Sequence, residues 1–480
     1  MSPQRIENPK TVMSATSPGH GPRPVHPAAI LAIVLISYFM ILLDNSVIFT
    51  GIPSIQAGLH LDTATLSWVQ DAYTLVFGGL LLLGARAGDI IGRRKLFIVG
   101  LAVFGLASLL VGTAQNGGLL IAARAFQGVG AAIVAPTSLS LITANFTGRA
   151  RARAIAWYAA TAGIGASLGL LVGGAAAQWI SWRAGFFINV PIAIAMGIAA
   201  ARVLPETPRV PGRFDTVGAI TATAGVGALV YGIVDSTKAG WTAPSTVAAI
   251  VAGLILITVL VLNEARAAQP IMPLRLFANR QRAGAYAVRM LYLGAMMGFF
   301  FFTTQYLQDV LGFTPLQAGA GFLPMTAVNF VVAMSIPRLG ARMSQGTILT
   351  LGVLFTLIGM GWLSRVGTAD SYWLSVAAPM VLIGIGQGLA FAPMTSAGVH
   401  DVQPEDAGAA SGLVNTAHQL GSSLGLGILV TIAAQTAGLT STGAAAVARH
   451  VEAALTGSSL FLVAALVVTV LFVAHRRSRA

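Results

Sequence analysis

Cysteine is absent from the 480 residues, and charged side chains make up only 9% of them. Without cysteine there is no disulfide framework, no thiolate metal site and no catalytic thiol. A soluble chain of this length clothes itself with roughly a quarter of charged residues. The scarcity of charge here, beside 56% hydrophobic residues and a mean hydropathy of +0.80, makes lipid the main solvent. A Walker loop, a His-Glu-x-x-His motif and an Asp-x-Asp pair are also missing. Their absence argues against direct use of ATP and against a membrane-embedded enzyme, and no large polar segment suggests a receptor domain.

In lipid every backbone N–H and C=O has to be satisfied internally, by helices or by a closed barrel. The apolar runs are about 17 to 25 residues long and do not alternate with period two, so they read as helices and exclude a barrel. Fourteen spans can be drawn, at 28–48, 66–83, 97–113, 119–141, 154–177, 184–203, 216–234, 246–262, 283–307, 318–336, 347–363, 372–393, 407–434 and 459–474. Residues 1–27 carry no apolar core followed by a small-residue cleavage site and are expected to be a short cytoplasmic tail, as are residues 475–480.

The net charge of +13 raises the question of nucleic acid. A nucleic-acid surface needs a clustered basic face with interleaved aromatics, and the distribution is different. Of the 28 Lys and Arg residues, only Arg183, Lys238, Arg365 and Arg449 fall in the expected outer segments, and only Arg124 and Arg289 within spans. The rest lie on the side of the N-terminus. That is the positive-inside asymmetry of a bacterial inner-membrane protein with both termini cytoplasmic, so the charge reports topology and no nucleic-acid partner is expected.

The chain repeats itself. Gly165-Ala-Ser-Leu-Gly-Leu170 in span five recurs as Gly421-Ser-Ser-Leu-Gly-Leu426 in span thirteen, and Ala135-Pro136 in span four recurs as Ala392-Pro393 in span twelve. The two offsets nearly agree, which maps spans one to six onto nine to fourteen. The expected organisation is a six-helix bundle at 28–203, an insert of two helices and loops at 204–282, and a second six-helix bundle at 283–474. Two halves related by an axis along the membrane normal are a transporter architecture, with the binding site between them near the midplane.

Span one ends Leu43-Asp-Asn-Ser-Val-Ile-Phe-Thr-Gly-Ile-Pro53, and span two opens Trp68-Val-Gln-Asp-Ala-Tyr73. The next loop reads Gly88-Asp-Ile-Ile-Gly-Arg-Arg-Lys95, and span four carries Arg124-Ala-Phe-Gln-Gly-Val-Gly130. Phe187-Ile-Asn-Val-Pro191, Tyr306-Leu-Gln-Asp-Val-Leu-Gly312 and Ser411-Gly-Leu-Val-Asn-Thr-Ala-His-Gln-Leu-Gly421 follow in order. In this order and spacing the chain resembles the fourteen-helix drug:proton antiporter branch of the major facilitator superfamily, over almost its whole length. The resemblance implies an all-α fold of two six-helix bundles plus two extra helices. It also implies export of amphipathic drugs, antibiotics or dyes against a proton gradient, by a monomer in membrane lipid that needs no cofactor.

In the loop motif the resemblance points to Asp89, Gly92, Arg93 and Arg94 as a latch between neighbouring helices in the outward-facing state, with Ala85 and Ile90 standing where the motif has Gly and Arg. In span five it points to the antiporter glycines Gly165, Gly169, Gly173 and Gly174. Leu170 replaces the usual proline there and removes a kink signal.

The intramembrane charges carry the chemistry without the resemblance. At 1.5 Å per residue, Asp44 lies about 24 Å along span one from its cytoplasmic start, while Arg124 and Asp71 lie roughly 9 Å and 8 Å below the outer face. All three share the outer third of the membrane. A charge in hydrocarbon costs on the order of 2.5 to 3.5 kcal/mol or more, so they are expected to face the interior and to find each other or water. Burial disfavours a charged carboxyl and a neighbouring guanidinium favours it, a balance that suits proton exchange near neutral pH. Asp44, Asp71 and Arg124 are therefore the proton-coupling candidates, against the plainer reading of a fixed ion pair.

Span nine places Arg289 around 9 Å above the inner face, where it meets an anionic group, pairs with an acid or snorkels to headgroups. Ser411, Asn415, His418 and Ser422 follow helical spacing and make one polar stripe on span thirteen. A polar face in lipid glues helices or lines a cavity. With Tyr292, Arg289 and this stripe form the candidate substrate cavity. Met296, Met297 and Phe299 to Phe302 are expected to pack between helices or face lipid for the most part, some supplying an adaptable apolar wall. Asp309 is expected in the outer mouth. A dedicated exporter of one metabolite or lipid, or an importer of the same superfamily, shares most of these features.

Overall fold

The computed structural model describes residues 27–206, 209, 214–267, 269–368, 371–403, 406–435 and 443–474. The two expected tails, apart from Pro27, lie outside the described residues. Every regular element among the described residues is helical. In chain order the long helices are α1 Pro27–Leu59, α2 Thr63–Ile91, α3 Arg93–Thr113, α4 Gly117–Asn145, α5 Gly148–Trp179, α6 Ala184–Val203, α7 Thr216–Ala239, α8 Pro244–Arg266, α9 Arg280–Val310, α10 Pro315–Gly340, α11 Gln345–Leu363, α12 Trp373–Gly398, α13 Ala407–Gln435 and α14 Ala444–Val473. Thirteen of them are long and apolar enough to cross a membrane. The remaining one, α5, has 32 residues, about 48 Å at the helical rise, and completes the fourteen drawn from the apolar runs.

Short polar residues start these helices by satisfying the first free N–H groups. Asp62 accepts from the Thr65 amide at 2.8 Å, Asn116 from Leu119 at 2.9 Å and Asp215 from Gly218 at 2.8 Å. Thr314 and Gln317 form a reciprocal capping box at the start of α10.

Helices in lipid associate through close packing and small residues, since lipid is as apolar as leucine. Helices α1 to α6 form one group, in which α2 packs on α4, α3 on α4 and α6, and α1 on α5. Helices α9 to α14 form the second, with α9 on α13 and α14, and α12 on α10 and α11. The inserted pair α7 and α8 packs together, and α7 also lies against α2 and α13, one helix from each group. Helix α8 is apolar all round and leaves Val251, Leu254, Ile255 and Leu262 exposed, as a lipid-facing helix does.

The repeated hexapeptide has the same task in both groups. A Cβ on Gly165 or Gly169 would meet Leu42, or Leu43 and Ser46, of α1. A Cβ on Gly421 or Gly425 would meet the backbone of Met290 or Gly294 in α9. Each copy lets its helix, α5 or α13, approach the first helix of its own group to backbone contact.

Candidate functional site

Between the two groups lies a cavity of about 1520 Å³. Its mouth is lined by Arg86, Asp89 and Arg93 on one side and by Arg275 and Asp406 on the other, so it opens at the arginine-rich end of the molecule. At the opposite end the groups are closed against each other. Gly174 of α5 sits on the backbone of Pro315 and Leu316, and Gly319 of α10 sits on the Leu170 carbonyl. Gln308 donates to the Thr50 carbonyl at 3.0 Å, and the rings of Phe49 and Phe300 stack with centroids 5.2 Å apart. Gly173 faces Val47 and Thr50 of α1. Three of the four antiporter-motif glycines thus seat α5 on α1, and Gly174 seats it on the other group.

Asp44 and Arg124 meet. Arg124 Nη1 donates to Asp44 Oδ2 at 2.7 Å, with both side chains fully buried. The other carboxylate oxygen accepts from Gln127 Nε2 at 2.8 Å and from Asn189 Nδ2 at 2.7 Å. Gln127 also donates to Ser108 at 2.8 Å and accepts from Arg124 at 2.6 Å, and Arg124 Nε donates to the Val69 carbonyl at 3.1 Å. Five helices, α1, α2, α3, α4 and α6, contribute to this centre. Gln127, Asn189 and Ser108 were not singled out from the sequence. Gln127 stands three residues after Arg124, on the same helical face, and Asn189 lies in the Phe187–Pro191 segment that carries the resemblance, so both had a readable signal; Ser108 had none.

Asp71 does not join them. Two residues along a helix turn the side chain by about 200°, so while Val69 and Tyr73 of α2 face Arg124, Asp71 points to the other side, toward Ser423 of α13. It is fully buried, and neither carboxylate oxygen has a hydrogen-bond partner. Ser423 Oγ, on the α13 face toward which it points, has none either.

Tyr73 separates the Asp44 centre from the cavity. Its ring lies 4.2 Å from the Arg124 guanidinium carbon, the residue lines the cavity, and its hydroxyl has no partner.

Ser411, Asn415, His418 and Ser422 all line the cavity, with Arg289 of the neighbouring α9 beside His418. Arg289 Nη2 lies 3.3 Å from His418 Nδ1, Nη1 donates to Thr395 Oγ1 at 3.1 Å, and the guanidinium carbon is 4.6 Å from the Phe391 ring centroid. Tyr292 is not at the wall. Its hydroxyl lies 2.8 Å from Thr356 of α11 and the residue is fully buried behind Phe391, because a buried phenol takes the nearest hydroxyl partner. Met296, Met297 and Phe300 line the cavity, whereas Phe299, Phe301 and Phe302 are buried in helix packing. Asp309 is exposed.

The loop motif is a knot of local bonds. Arg93 pairs with Asp89 at 2.9 Å and donates to the Ser140 carbonyl of α4 at 3.0 Å. The Arg94 amide donates to Glu206 at 3.2 Å, and its guanidinium donates to the Ala201 carbonyl of α6. Gly92 has φ +113°, and a Cβ there would meet the Glu206 carboxylate at 2.7 Å, so glycine is needed on both counts. These bonds tie the α2–α3 turn to α4 and α6, within the first group.

The sequence profile of the Major Facilitator Superfamily matches residues 34–426. The chain is 37% identical to the cephamycin export protein of Amycolatopsis lactamdurans over 98% of this chain and 97% of that one. It is 36% identical to the puromycin resistance protein of Streptomyces alboniger, over 84% and 81% respectively. In fold it resembles a bacterial homologue of the lysosomal transporter Spinster solved in an inward-facing, unoccupied conformation, with a TM-score of 0.69 at 16% identity, covering 96% of this chain and all of that one.

Proposed function

The chain belongs to the Major Facilitator Superfamily, a superfamily of membrane transporters and not of enzymes, and on that premise we propose that it exports amphipathic small molecules in exchange for protons. The single observation that carries the reading is the Asp44–Arg124 centre, fully buried and one aromatic ring away from a large cavity. A carboxylate that accepts from a guanidinium and two amides has its charge well satisfied. Protonating it weakens that set and frees Arg124, Gln127 and Asn189 to rearrange, which gives the proton a mechanical effect on five helices. Asp71, without a cation, is the second candidate carrier, at the α2–α13 seam that must slide when the groups rock.

The arginine-rich end is read as cytoplasmic by the positive-inside rule, so the cavity opens where an exporter loads. Residues 28–203 and 283–474 are the two rocking halves, with 204–282 as the insert. The cycle closes the mouth at Arg86 and Arg275 and opens the Gly174–Pro315 contact. Protonation of Asp44 then competes with cargo for the released state.

A dedicated exporter of one compound is the second reading. What favours it is that the cephamycin export protein and the puromycin resistance protein are each named for one antibiotic. Efflux from proteoliposomes, with a pH difference as sole fuel and a panel of dyes and antibiotics as cargo, tests both. Movement of several members supports broad export, movement of one supports the dedicated reading, and no pH-driven movement rejects proton coupling.

A further inference from the structure

Four arginines line the cavity, and at the mouth two of them have carboxylates, Arg93 with Asp89 and Arg275 with Asp406. A third, Arg86, donates to Gln269. The fourth, Arg289, lies deep, only 5% exposed, and no carboxylate among the described residues pairs with it. Its neighbours are Thr395, His418 and the Phe391 ring, with the phenols of Tyr292 on its own helix and Tyr38 across the cavity as the other titratable groups near it. None of these carries a negative charge in its ordinary form. A cation withdrawn from water without a counter-ion is costly, and proteins retain such groups where a charge of opposite sign arrives.

The surroundings of Arg289 suit a bound anion. The guanidinium faces two stacked tyrosines, Tyr38 and Tyr158, whose ring centroids are 4.0 Å apart in the opposite wall. Met296, Met297 and Phe300 make an apolar floor deeper in. At the mouth three arginines stand beside two carboxylates, a small net positive charge that draws anions toward the entrance.

We infer that the cavity is selective for amphipathic monoanions, molecules with one carboxylate or sulfonate beside an apolar body, and that Arg289 is the residue that binds the anionic group. This rests on the export reading and names its substrate class. Arg289 presents one uncompensated positive charge, so one negative charge is matched. A cationic amphiphile meets repulsion at the same point, and a neutral one leaves Arg289 uncompensated.

The test is equilibrium binding to the purified full chain, without any gradient. The probes are 1-anilinonaphthalene-8-sulfonate, its uncharged counterpart N-phenyl-1-naphthylamine, and the cation ethidium. Wild type should bind the sulfonate about tenfold or more tightly than the uncharged compound, the scale of one charge-assisted bond. In Arg289→Gln the preference should fall to about onefold with binding of the uncharged probe retained, which also reports folding, and Arg289→Lys should keep most of it. Wild type binding the uncharged probe or ethidium as tightly as the sulfonate overturns the inference with no variant needed, and so does a preference that survives in Arg289→Gln. Because the preference is read at equilibrium, a failure of pH-driven transport with the preference intact strikes the coupling reading alone.

Discussion

The guanidinium of Arg124 lies under the ring of Tyr73, 4.2 Å from its centroid, and the far side of that ring is cavity wall. One side chain therefore stands between the buried ion pair and the space where cargo binds. Its hydroxyl has no partner, so the ring and not the oxygen does the separating. Tyr73→Phe should leave transport and proton tightness unchanged. Tyr73→Ala should let water reach Asp44 from the cavity, giving a proton leak in the absence of substrate. Collapse of an imposed pH difference in cargo-free proteoliposomes measures this; equal leak in both variants would reject Tyr73 as the barrier.

Arg124 and Asp44 are tied by geometry that makes either one alone a liability. Removing one partner of a buried pair leaves an uncompensated charge and costs about 3–5 kcal/mol. Arg124→Gln should lower the thermal midpoint in detergent clearly, and Asp44→Asn in the same chain should recover most of the loss. Additive losses in the double variant would show that the two residues are not coupled.

Gly174 lies on the backbone of Pro315 and Leu316, and Gln308 bonds the Thr50 carbonyl at 3.0 Å beside it. A valine at 174 cannot fit in this closed contact, so Gly174→Val should favour the state open at that end. The absence of native cysteine makes the readout clean: a T50C reporter should react faster with a membrane-impermeant maleimide in the valine background. An unchanged rate would place the seal elsewhere.

Lys238 and Asp62 join the α1–α2 turn to the inserted α7 at 2.7 Å, with both side chains more than half exposed. Partial burial raises the Asp62 carboxyl, but the Lys238 hydrogen bond and the Thr65 amide outweigh it and hold the group below its ordinary 3.8. A depressed carboxyl contributes stability that is present above the ordinary value and lost as pH falls through the folded one. Lys238→Met should therefore cost a small amount at pH 7, since exposed pairs are worth little, and progressively less as pH falls below 3.8 through the lowered carboxyl value. A thermal-midpoint difference that grows on acidification would contradict the sign.

The fourteen helices were legible because long apolar runs in a chain with so few charges have no other stable form. The Asp44–Arg124 pair was legible from depth, since α1 and α4 run in opposite directions and bring the two residues to the same level. Rotation was less readable. Asp71 shares that level yet points toward α13, because two residues turn a helix by more than half a circle. Tyr292 shares a face with Arg289, three residues away, and still turns behind Phe391 to a hydroxyl on α11 that no local spacing announces. Asn189, 145 residues from Asp44, became its partner through tertiary packing alone. Which end of the cavity is open depends on contacts such as Gly174 with Pro315, and those belong to one conformation of the chain.

The most direct measurement compares wild type with Asp44→Asn in proteoliposomes, using a cargo both forms bind and a pH difference as the only driving force. The amide stands in for the protonated acid, leaves Arg124 without its anion and cannot exchange a proton; a thermal midpoint on the same sample confirms that the variant is folded. The account predicts that the variant equilibrates cargo down its own gradient at a rate within a few-fold of wild type but accumulates none uphill. Uphill accumulation by the variant at a rate near that of wild type would contradict it.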